Sequence, residues 1–277
     1  MKRNSNEKGA FIFGIGYEYE YLNDVQYEDQ SAPNPAYEKT SNTTAILFAN
    51  YGITENFSFE AIFPWRKVVN NKITYDTNQF IRKTSGFGDI IIMGRYSFLL
   101  FEDLLVMNIG GGFKLATGNL EIPDTEGNRI SDNLQIGSGT VDPVFSVFTA
   151  YESINKKWLF TSNFISRISM GSNIYGYQFG DEFHYSSSIS YDKNDYLFLH
   201  NKLEYIYTMR DTDQYGTRIK RERGGRWLYI VPGFSVRLGG NMILEAEFPI
   251  TLYQWVNESQ LISTGFIRLN LIYGIGE

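Results

Sequence analysis

The chain has no cysteine, so neither a disulfide framework nor a thiolate metal site can hold it together. Long apolar runs are also missing. Ile90 to Met93 is among the longest, far short of the roughly 18 residues a membrane-crossing helix needs. Positive charge is in deficit, with 25 Lys and Arg against 31 Asp and Glu for a net charge of −6. No basic cluster interleaves with aromatics, so nucleic acid is not an expected partner. No Pro/Gly/Ser-rich linker divides the 277 residues, which read as a single domain over 1–277. The opening MKRNSNEKGAF has no apolar stretch of the secretory kind, so a barrel reading implies a mature or re-engineered chain.

What the chain has is aromatic residues, 20 Tyr and 21 Phe, and alternation. Gly9 to Tyr21 reads GAFIFGIGYEYEY, with Phe11, Phe13, Ile15, Tyr17, Tyr19 and Tyr21 on one side and Gly14, Gly16, Glu18 and Glu20 on the other. Period two is the strand signature. Similar segments fall at about 43–53, 56–68, 87–99, 104–116, 143–152, 157–170, 183–192, 195–208, 226–238, 241–253 and 262–275. Twelve strands of this length, each able to cross a bilayer at a tilt, predict an all-β, transmembrane, antiparallel up-and-down barrel. Slightly negative mean hydropathy is compatible with this, because only alternate residues would meet lipid.

Charges share a parity within segments: Glu60 with Arg66, Asp89 with Arg95, Lys202 with Glu204, Glu245 with Glu247. Each set opposes an apolar row such as Phe57, Phe59, Ala61 and Phe63, or Leu197, Leu199, Leu203 and Tyr205. A basic side chain facing lipid at midplane costs about 2–4 kcal/mol. The charged row is therefore assigned to the lumen: Glu18, Glu20, Glu60, Arg66, Asp89, Arg95, Lys114, Arg167, Lys202, Glu204, Arg237, Glu245, Glu247 and Arg268. Short connections (Thr54-Glu55, Leu100 to Asp103, Ser153 to Lys156, Lys193-Asn194, Gly239-Gly240) alternate with longer ones at 22–42, 69–86, 117–142, 171–182, 209–225 and 254–261. That alternation predicts tight periplasmic turns, long outer loops and two periplasmic termini. Pro64 and Pro249, in the paired phrases EAIFP and EAEFP, predict bulges or kinks in the wall.

The phrases GFGDIIIMGRYSFL (86–99), FKLATGN with LQIGSGTVDPVF (113–145) and GDEFHYSSSISY (180–191) resemble the outer-membrane transporter family linked to the meta-pathway of phenol degradation. The resemblance runs over most of the barrel. It implies the outer membrane of a Gram-negative bacterium and passage of small, aromatic or hydrophobic compounds. The chain departs from common barrel endings by lacking a terminal Phe, which leaves Tyr273 as the candidate insertion aromatic.

No enzymatic site is expected. His184 and Ser186 share a strand face, but no orienting Asp or Asn stands in the local spacing, and a polar lumen face accounts for them. Asp124, Glu126, Asn128 and Asp132 crowd one loop without calcium-loop spacing and read as a turn. Gly14-Ile15-Gly16 and Gly110 to Gly112 lie in strands with no helix after them, so they are not phosphate cradles. Neither a metal nor a cofactor is expected. A twelve-strand barrel at about 4.8 Å spacing and about 40° tilt has a backbone diameter of roughly 24 Å and a free bore of about 10 Å or less. The first expectation is a passive porin-like channel for small solutes, with the loops at 22–42, 117–142 and 209–225 controlling access. The alternative is a non-conducting structural or partner subunit whose lumen charges pair and fill the bore. A soluble ligand-binding barrel with the two rows inverted is the third reading. Expected contacts are outer-membrane lipid and lipopolysaccharide, small-molecule solutes, and another outer-membrane protein.

Overall fold

The computed structural model describes residues 8–73, 79–101, 104–124, 126–213 and 223–275. Strands dominate: β1 (Phe11–Tyr27), β2 (Gln30–Ala32), β3 (Lys39–Gly52), β4 (Phe57–Ile73), β5 (Gln79–Phe87), β6 (Ile91–Leu100), β7 (Leu105–Lys114), β8 (Asp142–Glu152) and β9 (Trp158–Arg167). There follow β10 (Tyr177–Gln178), β11 (Glu182–Asp192), β12 (Leu197–Thr208), β13 (Thr212–Asp213), β14 (Gly225–Gly239), β15 (Met242–Glu247), β16 (Ile250–Val256) and β17 (Ser259–Ile275). One 3-10 turn, Asp132–Leu134, is the helical element among the described residues.

Each wall strand pairs antiparallel with its sequence neighbours, β12 bonds to β14, and β17 bonds to β1, so the sheet closes on itself. β5 with β6 occupy one wall position, both lying along β4, and β15 with β16 occupy another beside β14. β2 extends the end of β1, and β10 with β13 form a separate two-stranded ribbon. The wall is a closed twelve-position up-and-down barrel, in which β5 and β16 each bond on one side only. Closure of the ring pairs strand backbone groups that hydrocarbon could not solvate.

Facing follows the alternation. Ile15, Phe59, Phe113, Phe145, Leu203 and Leu252 are all exposed, while the intervening Gly14, Ser58, Lys114, Ser146 and Glu204 are buried. The apolar row is outside, and the inverted arrangement of a soluble barrel is not what the chain adopts. A contiguous apolar exterior of this kind has hydrocarbon as its natural solvent.

Several expected loops are strand instead. β1 runs on to Tyr27, and β4 runs to Ile73 where it pairs with β5 from Gln79, so the 69–86 connection is mostly a hairpin. Between β16 and β17 only Asn257 and Glu258 intervene, in place of a 254–261 loop. These extensions carry polar residues on both faces, so alternation does not mark them. Residues 74–78 and 214–222 of the expected loops, and part of the Leu100–Asp103 connection, lie outside the described residues. Phe101, Lys156, Asp195 and Gly240 adopt left-handed φ values of 52, 56, 63 and 54° in or beside four of the five short turns.

The prolines act through their neighbours. The Pro64 carbonyl accepts from Gly88 N at 2.8 Å, and the Pro232 carbonyl from Phe248 N at 3.0 Å. Neither proline has an N–H to return. Opposite Pro64 the wall is interrupted at residues 88–90, between β5 and β6; opposite Pro232 it is interrupted at 248–249, between β15 and β16. The kink expected at Pro64 therefore falls in the adjacent strand, and β4 itself runs unbroken, whereas Pro249 lies within a break.

Candidate functional site

The charged inner face has three tiers. Near the short-turn end, Arg95 Nε lies 2.6 Å from Glu60 Oε2, joining β6 to β4. Arg237 of β14 lies over the Phe198 ring of β12, 5.5 Å from its centroid. These pairs face the interior opposite the exposed Tyr96, Phe59 and Leu199.

The middle tier lines one side of the bore, from β12 round to β3. Arg268 of β17 donates from Nε to Glu18 Oε2 at 2.9 Å, from Nη1 to Glu204 Oε2 at 2.6 Å and from Nη2 to Glu204 Oε1 at 3.1 Å. Lys202 Nζ donates to both Glu247 oxygens at 2.8 Å and lies 3.8 Å from Glu204. Asn270 Nδ2 donates to Glu245 Oε2 at 3.0 Å. Glu20 accepts from Asn42 Nδ2 at 2.9 Å. Arg66 is half-buried within electrostatic range of Glu182, Glu20 and Glu18, and makes no ion pair within 4.0 Å among the described residues.

The third tier lies where the long connections leave the wall. Asp142, with a side chain fully removed from solvent, takes Lys114 Nζ at 2.7 Å and Arg167 Nη1 at 3.0 Å. Arg167 continues to Glu182 at 3.0 Å. Asp89 sits in the break between β5 and β6 and anchors the next loop: its carboxylate accepts from Gly118 N at 2.9 Å, Ser138 N at 2.9 Å and Ser138 Oγ at 2.6 Å. Lys114 Nζ reaches both Asp89, at 3.4 Å, and Ser138.

Over this tier residues 115–124 and 126–141 are folded and tied to the 168–181 segment. Arg129 donates to Asp132 at 2.7 and 3.2 Å and to the Leu120 carbonyl at 2.9 Å, and its guanidinium lies 3.8 Å from the Tyr175 ring centroid. Asn173 Nδ2 donates to Asp132 at 2.9 Å, and its Oδ1 accepts from Tyr175 N and Tyr177 N. Burial works against the Asp132 carboxylate, but the hydrogen bonds from Arg129 and Asn173 more than offset it and its pKa is lowered. Burial and the Asp211 carboxylate push the Tyr177 phenol well above its usual range, against the pull of Arg223. Tyr177 hydrogen-bonds to Asp211, which also pairs with Arg223 at 3.2 Å and accepts from Gly180 N at 2.8 Å.

The carboxylate-rich loop does not converge. Asp124 Oδ1 caps its own turn through Glu126 N and Asn128 N, both at 2.9 Å, while Asp132 is held by Arg129. His184 and Ser186 share the less exposed row of β11, and no hydrogen bond links them among the described residues. Sequence reasoning missed Asp142, Glu182, Asp211, Arg223 and His200. Asp142 and Glu182 stand at the last positions of expected loops. His200 shares the parity of Lys202 and Glu204, which is the signal that could have found it.

The family model described as "Putative MetA-pathway of phenol degradation" matches residues 30–269. Among solved structures, an outer membrane channel from Pseudomonas putida F1 is similar with a TM-score of 0.75 at 13% identity, covering 99% of this chain and 100% of that one. The β domain of the Bordetella autotransporter BrkA is similar with a TM-score of 0.52 at 9% identity, covering 97% and 100%. At these identities the likeness is one of fold. No curated protein matches the chain in sequence.

Proposed function

The chain belongs to the family described by the MetA pathway of phenol degradation, and from that premise we propose that it is a passive outer-membrane channel for small solutes, apolar and aromatic ones among them. The observation that carries this reading is a closed barrel with an apolar exterior and a charged interior, with two long connections tied to each other at one end. Outer-membrane lipid and lipopolysaccharide are the medium such an exterior fits.

The lumen charges are largely paired with each other. A hydrated ion must compete with those pairs for its own counter-charge, whereas a small neutral solute can slip past without breaking them. That favours uncharged compounds over salts. Passage needs no energy-coupling element, and the chain is read as non-catalytic. The test is flux into proteoliposomes of folded protein, comparing phenol with glucose and with a potassium salt. Phenol uptake above protein-free liposomes, exceeding glucose, supports the channel. Liposomes as tight to all three as protein-free controls overturn it.

A second reading has its own observation. The Arg268–Glu204 pair bridges wall strands that are not neighbours, with two wall positions between them, and so occupies lumen space on that side, as a filled bore would require. In that case the barrel is a non-conducting subunit, and a stoichiometric outer-membrane protein would co-purify with it from native membranes.

A further inference from the structure

We propose that the middle tier of the lumen holds a divalent transition-metal ion, zinc being the type, ligated by His200 Nε2, Glu245 Oε1 and Glu247 Oε1. These residues offer one ligand atom each, all within 4.8 Å of one another, and form a potential three-ligand group among the described residues. His200 Nε2 is 3.5 Å from Glu247 Oε1 and 3.9 Å from Glu245 Oε1. A tetrahedral ion with bonds of about 2.0–2.1 Å needs ligand atoms about 3.4 Å apart, so small side-chain rotations bring the three into place.

The imidazole has no other use for that nitrogen. Its side chain is 6% exposed, and Nε2 makes no hydrogen bond. A buried polar atom left without a partner costs free energy and calls for an explanation. The neighbours also position the group. A Cβ at position 233 would run into His200 Nε2, so Gly233, its partner across β12 and β14, leaves the floor on which the ring lies. Asn270 holds Glu245 by Oε2, and Oε1, which accepts a long bond of 3.4 Å from Ser235 Oγ, lies 3.9 Å from the imidazole nitrogen. This is the supporting shell that fixes a ligand's orientation. Lys202 can keep Glu247 Oε2 at 2.8 Å while Oε1 serves the ion.

Charge balance points the same way. The residues linked by ion pairs around His200 are Glu18, Glu204, Glu245 and Glu247 against Lys202 and Arg268. Four carboxylates face two permanent cations, a deficit of two positive charges with a neutral histidine. A proton on His200 supplies one, and a divalent ion supplies both. Nitrogen with two carboxylates is a donor set suited to zinc, whose fourth ligand in such sites is water.

The experiment uses the full chain, folded in detergent and stripped with chelator. Zinc chloride is titrated calorimetrically, and the zinc-loaded sample is measured by X-ray absorption at the zinc edge. The expected result is one equivalent bound per barrel, an absorption spectrum showing one imidazole with oxygen ligands, and affinity weakened at least tenfold in both His200→Ala and Glu245→Gln. The heat-modifiable gel shift of each variant checks that the barrel has formed. Should one variant fail that check, the wild-type absorption spectrum still decides. No stoichiometric zinc binding by the folded wild type, a spectrum without imidazole, or undiminished binding in folded variants overturns the site.

Discussion

Arg268 on β17 reaches Glu204 on β12 in a two-pronged contact of 2.6 and 3.1 Å, although β14 and the β15/β16 position stand between those strands in the wall. The contact makes a chord over that side of the lumen. The same guanidinium also holds Glu18 at 2.9 Å and lies 3.9 Å from Glu247. Arg268→Met leaves these carboxylates without their shared cation in a poorly hydrated space, so it should destabilise the barrel by about 3–5 kcal/mol. Reversible urea unfolding in detergent measures this. If the protein conducts, the same variant should widen the path and raise unit conductance in planar bilayers. A loss below 1 kcal/mol would mean that water already fills this tier.

Asp142 is the corresponding hub at the long-loop end. Its side chain is fully buried, and Lys114, Arg167 and the Met170 N–H all converge on it. Asp142→Asn preserves shape but removes the charge that two cations share. Loss of similar size, about 3–5 kcal/mol, is expected by the same argument. Hydrogen exchange should show the loosening concentrated at residues 138–142 and 167–170, with the short-turn end unchanged.

The glycine triplet in β7 separates by face. A Cβ on Gly112 would run into the Ile92 carbonyl of the neighbouring strand, whereas one on Gly111 meets only Phe145 Cδ1 at 4.0 Å. Gly112→Ala should therefore force backbone displacement and cost about 1–3 kcal/mol. Gly111→Ala, on the exposed side, should stay within about 0.5 kcal/mol. Equal effects in the urea midpoint would mean that β7 can shift its register.

The barrel was legible because lipid and lumen impose opposite demands on successive residues. Wherever both demands act, as along Phe57 to Phe63 or Leu197 to Tyr205, the facing can be read directly. It fades where the strands leave hydrocarbon. Val69 to Ile73 and Gln79 to Phe87 pair as a hairpin, but no apolar row distinguishes their faces, so they read as loop. Ion-pair partners were harder still. Parity places Lys114 and Arg167 on the inner face, yet Asp142 falls within an expected loop, and only the start of β8 at Asp142, directly across from Lys114 and two residues from Val144, the partner of Arg167, brings both cations to it. The wall breaks were half legible: the prolines are visible in the sequence, but the interruption at 88–90 belongs to the neighbouring strand position, to which Pro64 offers its carbonyl but no N–H.

The loop tie at the mouth has a defined acid limit. Asp132 has its pKa lowered in the folded protein, so its contribution is present above the unfolded carboxylate value of about 3.9 and disappears as pH falls through the lower folded value. Hydrogen exchange at Asn173 to Tyr177 should stay protected from pH 7 to about pH 4 and rise only below that. In Asp132→Asn the charge-assisted contact with Arg129 is lost at every pH, so the rise should be present at pH 7. Loosening of the native protein between pH 6 and 5 would assign the tie to another group.

The facing of the wall can be tested with one charge placed on either side of it. Ile109 lies on the exposed row of β7, and Asn108 beside it points inward to accept from Ser97 Oγ at 2.5 Å. Ile109→Arg puts a guanidinium into hydrocarbon and should cost about 2–4 kcal/mol if the site is near midplane, less towards an interface. Asn108→Arg puts the same group in a polar interior with Arg95 and Glu60 close by in the wall, where crowding and like charge are opposed by an available carboxylate. It should cost less than Ile109→Arg in lipid bilayers. The ordering should narrow in a detergent micelle, where a surface arginine can reach water. If Asn108→Arg is the more damaging in bilayers, the apolar row does not face lipid and the channel reading loses its footing.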